Sequence, residues 1–340
     1  MKFDYAVGNP PYQENKSSTV YIDIWPDFVK ESTKIADKSC MIHPGRWINP
    51  KKNMKKTTQA LKDTHLKTFN LFPEGKDVFA DTNIAGGISI TYFDSSYDGE
   101  ISGYVENEYV GIYDITKLFC TKYENEAYNK VFANINKNDN MLQYIIGNIG
   151  ALGTCESGYI KGTNTNKLKD TPDGMKEPIH IRCAKTFGVG GATKYSWNYI
   201  EKSDLINPMN GMFVRKVLVN KVGPTKTSTN WGVTGCHILD ANEIEDKSLY
   251  CIPKNQRERE LWLIKSLFDT RTARYLMTIK QKSIYCMGFE CIPDYLELAK
   301  LLPEDELFTD EWFYKTFDFS EGLINEIETR VSPKVEKSLK

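Results

Sequence analysis

The sequence contains no apolar run close to the roughly 18 residues needed to cross a bilayer, and no apolar signal core near its N-terminus. The reading is therefore a chain without membrane segments, placed in the cytoplasm. Histidine is scarce. The four present are isolated and lack ligand spacing, so no metal site is expected. None of the eight cysteines forms a C-x-x-C; Cys286 and Cys291 are the closest pair, and reduced thiols are the expectation. Internal repeats and long low-complexity linkers are also missing, which excludes solenoid and disordered classes.

What is present describes an ordinary globular chain. With 340 residues, 40% hydrophobic and 26% charged, it has enough material for a substantial core and about two domains. The net charge of −1 hides an asymmetry: residues 160–226 hold 12 Lys and Arg against 5 Asp and Glu, leaving the remainder acidic. Such a block fits either one polyanion-facing surface or a solvated face.

Apolar spacing places short strands at 3–7 ("FDYAV"), 39–44 ("SCMIHP"), 66–72 ("LKTFNLF") and within "GGISITYF", up to residue 93. Helical spacing falls between them, at 21–36 with Tyr21, Trp25, Phe28, Val29 and Ile35, and at 53–65. This alternation predicts an α/β fold with half of a doubly wound sheet. From about 100 to 255 the rhythm is lost and short extended pieces such as 211–222 alternate with turns. Helices resume over 256–277, with Leu261, Ile264, Leu267, Phe268 and Tyr275 on one face, and again after an N-cap at Thr309. The predicted division is 1–100, 101–255 and 256–340: a partial α/β half-domain, a mixed β-rich region, and a helical part packed on that region.

The densest chemical signal is Asn9-Pro10-Pro11-Tyr12, directly after the first strand. Prolines lack an N–H and keep the loop's carbonyls out of a helix. Asn9 then offers a side-chain oxygen, Pro10 a backbone oxygen, and Tyr12 a ring face. Two convergent acceptors suit a planar amino group, held while a methyl group is delivered to its nitrogen.

Asn-Pro-Pro-Tyr after a strand resembles the catalytic motif of S-adenosylmethionine-dependent amino-methyltransferases, above all the adenine-N6 DNA methyltransferases of restriction-modification systems. "KSCMIHPGRWI" (38–48) and "FPEGKDVFADTNIAGGISITYFDSSYDGE" (72–100) are similar to the segments that follow in those enzymes, and the closing helices resemble theirs too. The resemblance implies a Rossmann-like sheet, a target-recognition region in the middle, and double-stranded DNA as partner. It also implies catalytic roles for Asn9, Pro10, Pro11 and Tyr12, and a flipped-base contact from Phe79, whose other reading is core packing. Arg46 would face the DNA backbone or pair with a carboxylate. Lys185, Lys194, Arg215 and Lys216 head the DNA-facing set, with Lys161, Lys167, Lys169, Arg182, Lys221 and Lys226 around them. Tyr195, Trp197, Tyr199 and Trp231 lie among these cations. Arginine suits guanine edges and lysine suits phosphates.

One family feature is missing: the glycine-rich turn and following acid that bind the methyl donor upstream of the proline motif. Only eight residues precede Asn9. The expectation is a split or truncated enzyme whose S-adenosylmethionine site lies on another polypeptide, with no activity alone. The glycine cluster at 188–191 would serve a permuted donor site or, preferably, a phosphate-contacting loop. Rival readings are a catalytically inactive DNA-recognition module, a protein glutamine methyltransferase using a similar motif, and a nuclease built on Asp4, Glu14 and Lys16.

Overall fold

The computed structural model describes residues 2–17, 20–48, 55–63, 65–73, 75, 78–80, 84, 86–114, 119, 121–147, 167–185, 194–205, 211–219, 236–245, 249–279 and 288–331. The chain divides into two compact units: 1–126 with 225–228 and 280–283, and 127–224 with 229–279 and 284–340.

The first unit opens with β1 (Phe3–Gly8), a hairpin of β2 (Gln13–Ser17) and β3 (Val20–Asp23), helix α1 (Trp25–Ile35) and β4 (Ala36–Pro44). A one-turn 3-10 helix (Gly45–Trp47), α2 (Lys55–Lys62), β5 (Leu66–Phe72), β6 (Ile88–Asp94), β7 (Ser102–Val105) and β8 (Glu108–Ile112) follow. The main sheet has the order β1-β4-β6-β5-β7-β8. β1 and β4 run parallel, as do β5 and β7, whereas β6 runs antiparallel to both its neighbours. The expected α/β half-sheet is therefore present, but β4 and β5 do not pair; β6 lies between them.

Helix α1 begins with Pro26 in its first turn, where a missing N–H costs nothing, and buries Trp25, Val29 and Ser32 at the i, i+4, i+7 spacing of one face. Ser32 and Ser39 hydroxyls lie 2.7 Å apart and tie the helix to β4. The predicted helical face was too long: Tyr21 belongs to β3, while Phe28 and Ile35 are exposed. Core aromatics meet edge to face, Trp47 on Phe69 at 5.2 Å and Phe69 on Tyr113 at 5.3 Å. Each such pair contributes about 0.5–1.5 kcal/mol beyond its buried area.

In the second unit, β10 (Pro178–Lys185), β11 (Lys194–Glu201) and β14 (Glu243–Glu245) form one sheet. β9 (Ile145–Gly147), β12 (Lys216–Val219), β13 (His237–Leu239) and β15 (Leu249–Cys251) form another. The expected β-rich middle is seen here, preceded by α3 (Lys122–Val131) and followed by α4 (Glu258–Asp269), α5 (Arg271–Ile279), α6 (Tyr295–Ala299), α7 (Asp310–Thr316) and α8 (Glu321–Arg330). The run expected as one helix over 256–277 breaks at Thr270, yet all five residues of its predicted face are buried. Thr309 caps α7 as expected, accepting from the Trp312 N–H at 3.1 Å.

Candidate functional site

Asn9–Tyr12 leaves the carboxyl end of β1, where Gly8 pairs in register with Met41 of β4. A side chain at position 8 would sit 3.3 Å from the Met41 sulfur, so glycine lets the strand end close on its neighbour. Asn9 is exposed, and neither its amide nor the Pro10 carbonyl has a hydrogen-bond partner among the described residues. Pro10 is buried and Pro11 exposed. Tyr12 is half-buried against the core cluster, its hydroxyl without a partner among the described residues, and burial pushes its phenol up.

The loop is braced from behind. The Ile24 N–H donates to the Tyr12 carbonyl at 3.1 Å, so the β2–β3 hairpin closes directly onto the motif. Gln13 donates to the Asp23 carboxylate at 3.0 Å, and Arg46 forms an ion pair with the same carboxylate. Arg46 is thus engaged with an acid, and its Nε is buried with no partner among the described residues. The turn that carries Arg46 is set by glycines. A Cβ on Gly45 would lie 2.8 Å from the Gly86 carbonyl, and Gly87 takes the left-handed φ of 71°.

Beneath the turn a buried polar chain was not visible in the sequence. The Trp47 Nε1–H donates to Ser89 Oγ at 2.9 Å, Ser89 Oγ lies 3.3 Å from His43 Nδ1, and His43 Nε2 lies 2.9 Å from Thr91 Oγ1. Thr91 in turn donates to the Met41 carbonyl at 3.2 Å. His43 Nδ1 also lies 3.3 Å from the Pro44 carbonyl, and Ser89 Oγ donates to the His43 carbonyl at 3.3 Å, so both ring nitrogens face hydrogen-bonding groups. Burial lowers the His43 pKa to about 3, so the ring is neutral near pH 7.

Phe79 is half-buried, its N–H donating to the Gly75 carbonyl at 2.9 Å. Among the expected DNA-facing residues, Lys185 and Lys194 pair in register where β10 ends and β11 begins, at the connected end of that strand pair. Arg215 is exposed and paired with Asp240 and Glu258. Lys216 requires correction. It is fully buried, with Nζ 3.2 Å from the Val214 carbonyl, 3.1 Å from the Asp240 carbonyl and over the Tyr250 ring, so it cannot reach a phosphate. Burial lowers its pKa to about 8. Other cations are also spoken for: Lys167 pairs with Asp204 at 2.6 Å, Arg182 with Glu245 at 2.9 Å and Lys202 with Glu177 at 3.0 Å. Trp197 packs on the core and against His180 at 4.5 Å. Lys161, Lys221, Lys226, Trp231 and the glycine cluster 188–191 lie outside the described residues.

The described residues do not fit a methyl-donor site beside Asn9. No glycine-rich strand-to-helix turn adjoins the motif among them, and two cavities of the first unit lie at the other end of the sheet. One is lined by Lys2, Ala36 and Asp37, at the amino ends of β1 and β4; the other by His65 and Leu66, at the start of β5. No group of metal-ligating side chains occurs among the described residues, and no described helix is long and apolar enough to cross a membrane.

Comparison with known proteins bears on this half-sheet. Residues 1–79 match the family described as Eco57I restriction-modification methylase. Over 107 residues the chain is 32% identical to a protein of Mycoplasma pneumoniae (strain ATCC 29342 / M129 / Subtype 1) named "Uncharacterized adenine-specific methylase". That alignment covers 29% of this chain and 25% of the relative, so the chain spans about a quarter of the curated relative's length. Among solved structures, the type IIL restriction-modification enzyme MmeI in complex with DNA aligns with 97% of this chain and 55% of its own, at 10% identity and TM-score 0.39. The type IIG restriction endonuclease BpuSI aligns with 91% and 49%, at 9% identity and TM-score 0.33. The resemblance to restriction-modification methylases expected from the sequence is borne out over residues 1–79, and the 32% identical relative carries an adenine-specific name.

Proposed function

We propose that this chain is the base-holding and DNA-reading part of a site-specific adenine-N6 DNA methyltransferase. The carrying observation is the motif's geometry: a rigid loop at the carboxyl end of β1 presents the unpartnered Asn9 amide beside the unclaimed Pro10 carbonyl. The Asn9 side-chain oxygen and the Pro10 carbonyl accept the two N–H groups of the adenine amine. Their dipoles oppose the positive charge that grows on that nitrogen. Tyr12 supplies a ring face for the base and Pro11 stiffens the loop. Phe79 is assigned to the edge of the same base, which must leave the duplex because its amine is otherwise paired. S-adenosylmethionine supplies an electrophilic methyl group when bound, and its site is assigned to a part outside the described residues. Double-stranded DNA is met by Lys185, Lys194 and Arg215; Arg46 braces the loop rather than touching phosphate. The assigned compartment is the cytoplasm.

The test is transfer of labelled methyl groups to duplex DNA. The chain alone is expected to transfer none. An assembly that includes a donor-binding part is expected to label adenine, and Asn9→Ala to abolish the label. Labelling by the purified chain unaided overturns the split reading. A second reading, a recognition module without catalysis, draws support from the lack of a glycine-rich turn beside the motif among the described residues; it requires duplex binding with no transfer in any assembly.

A further inference from the structure

Strands β10 and β11 form an antiparallel ribbon, and among the described residues β14 pairs with β10 only across 180–182. On its other side β11 meets Lys169 through a single bridge at Tyr199. Direct partners in a sheet share a face, so two rows of side chains run across it. The first row is Lys169, Tyr199, His180 and Glu243; the second is Trp197, Arg182 and Glu245. The alternate residues Ile179, Ile181, Ile200 and Ile244 are buried in the core of this unit. The two rows therefore occupy the opposite face, where the side chains of His180 and Arg182 are 26% and 28% exposed.

The rows repeat one device. His180 Nδ1 lies 3.4 Å from a Glu243 oxygen, and Arg182 Nη1 donates to Glu245 at 2.9 Å, so a carboxylate of β14 orients each basic side chain. The imidazole also packs against two rings, 4.5 Å from Trp197 and 4.7 Å from Tyr199. The second Glu243 oxygen accepts from the Asp240 N–H at 3.1 Å. A carboxylate only accepts, so the neutral ring carries its hydrogen on Nδ1. Nε2, which has no partner among the described residues, is then an acceptor.

This spacing suits base edges. Residues two apart on a strand stand about 6.8 Å apart, and two steps along a nucleic-acid strand cover about the same distance. The major groove admits a two-stranded ribbon; there an acceptor meets the amine of adenine or cytosine, and a guanidinium meets guanine. Lys185 and Lys194 end the same ribbon, in reach of flanking phosphates. We propose that His180 and Arg182 are specificity-determining residues on the outward face of the β10–β11 ribbon. His180 Nε2 accepts from the exocyclic amine of an adenine or cytosine, and Arg182 donates to a guanine two steps away. Glu243 is the positioning residue of His180. The proposal rests on the DNA-reading function proposed above and assigns the face and side chains that do the reading.

The test is selection of bound duplexes by the purified full chain from a pool with a randomised centre, read by sequencing. The wild type is expected to select adenine or cytosine at one position and guanine two steps away. His180→Phe keeps a ring against Trp197 and Tyr199 and should erase the first preference alone. Arg182→Met keeps the aliphatic stem and should lower the second about tenfold, the effect of losing one bidentate contact. Both variants should keep the wild-type dependence of affinity on salt. In Glu243→Gln the Asp240 N–H keeps the amide oxygen and the amide NH2 faces Nδ1. Nε2 then becomes the donor, and the first preference should pass to guanine or thymine. A merely structural role would not produce that reversal, which also decides the matter if His180→Phe loses its urea transition. Wild-type preferences retained in every variant, or a loss spread evenly over all positions, overturn the proposal and leave the DNA-reading function standing. A wild type that binds duplex without preference also overturns it. A wild type that binds no duplex removes the DNA-reading function and the proposal together.

Discussion

The imidazole of His43 lies flat on the indole of Trp25, with ring centroids 4.2 Å apart and planes 8° from parallel. Trp25 opens α1 one residue after the N–H that closes on the Tyr12 carbonyl, and His43 lies two residues beyond the register partner of Gly8. The stack therefore joins the exit of the proline loop to the end of β4. Its integrity depends on a neutral ring, which leads to the first prediction.

His43 titrates near 6.5 in an unfolded chain and at about 3 when folded. Between these values the unfolded state binds more protons, so stability falls as pH drops through that window, with a limiting slope of about 1.4 kcal/mol per pH unit from this one group. Urea denaturation from pH 7 to 4 should show the loss. His43→Gln should be less stable at pH 7 and flatter below 6; an equally steep limb in that variant would rule the mechanism out.

Asn9→Ala should leave the urea midpoint almost unchanged, because the side chain is exposed and unpartnered among the described residues. In an active assembly the same change should lower kcat by about 100-fold or more, the usual cost of deleting one preorganised transition-state contact. A loss confined to KM would instead assign Asn9 to ground-state binding.

Asp23→Ala removes the acceptor shared by Gln13 and Arg46, leaving a half-buried guanidinium without its charge partner. The expected cost is about 1–3 kcal/mol. Amide hydrogen exchange should speed up across residues 13–23 before it does in β4. Unchanged exchange in the hairpin would mean that the brace is incidental.

Lys216 and Arg215 are adjacent and should behave in opposite ways. Arg215→Ala is expected to lower the slope of log affinity for duplex DNA against log salt by about 0.9, the value for one phosphate contact. Lys216→Met should leave that slope alone. Lys216 titrates at about 8 when folded against an ordinary 10.5, so the unfolded state binds more protons between them and stability gains with pH over that window. Lys216→Met should abolish the gain, as denaturation at pH 8 and 10 would reveal. A salt slope that falls with Lys216→Met would refute its assignment to the core.

The Asn9–Tyr12 loop was legible because it is contiguous: four residues carry two candidate acceptors, the rigidity and a ring. Strands β1, β4, β5 and β6 were legible as short apolar runs. The β2–β3 hairpin was not, because "QENKS" is polar throughout and its pairing answers to the motif before it. The brace joins Asp23 to Arg46 across 23 residues, and Arg182 meets Glu245 across 63. Local charge counting cannot see such partners, which is why the basic block promised more free cations than the described residues provide. Lys216 alternates into a buried strand whose four residues all face protein, a context that the apolar run "KVLV" hints at only after the sheet is known.

The place of β6 has a consequence for what counts as a heritable piece of this protein. The family match ends at Phe79, before β6 begins at Ile88. Both partners of β5, namely β6 and β7, come later in the chain. A fragment cut at residue 79 would keep the Asn9–Tyr12 loop and lose the strand that joins β4 to β5, leaving Leu66–Phe72 without its described partners. The matched segment by itself thus lacks the strand that closes its sheet, and a ribosome must deliver β6 before any of the sheet beyond β4 can assemble.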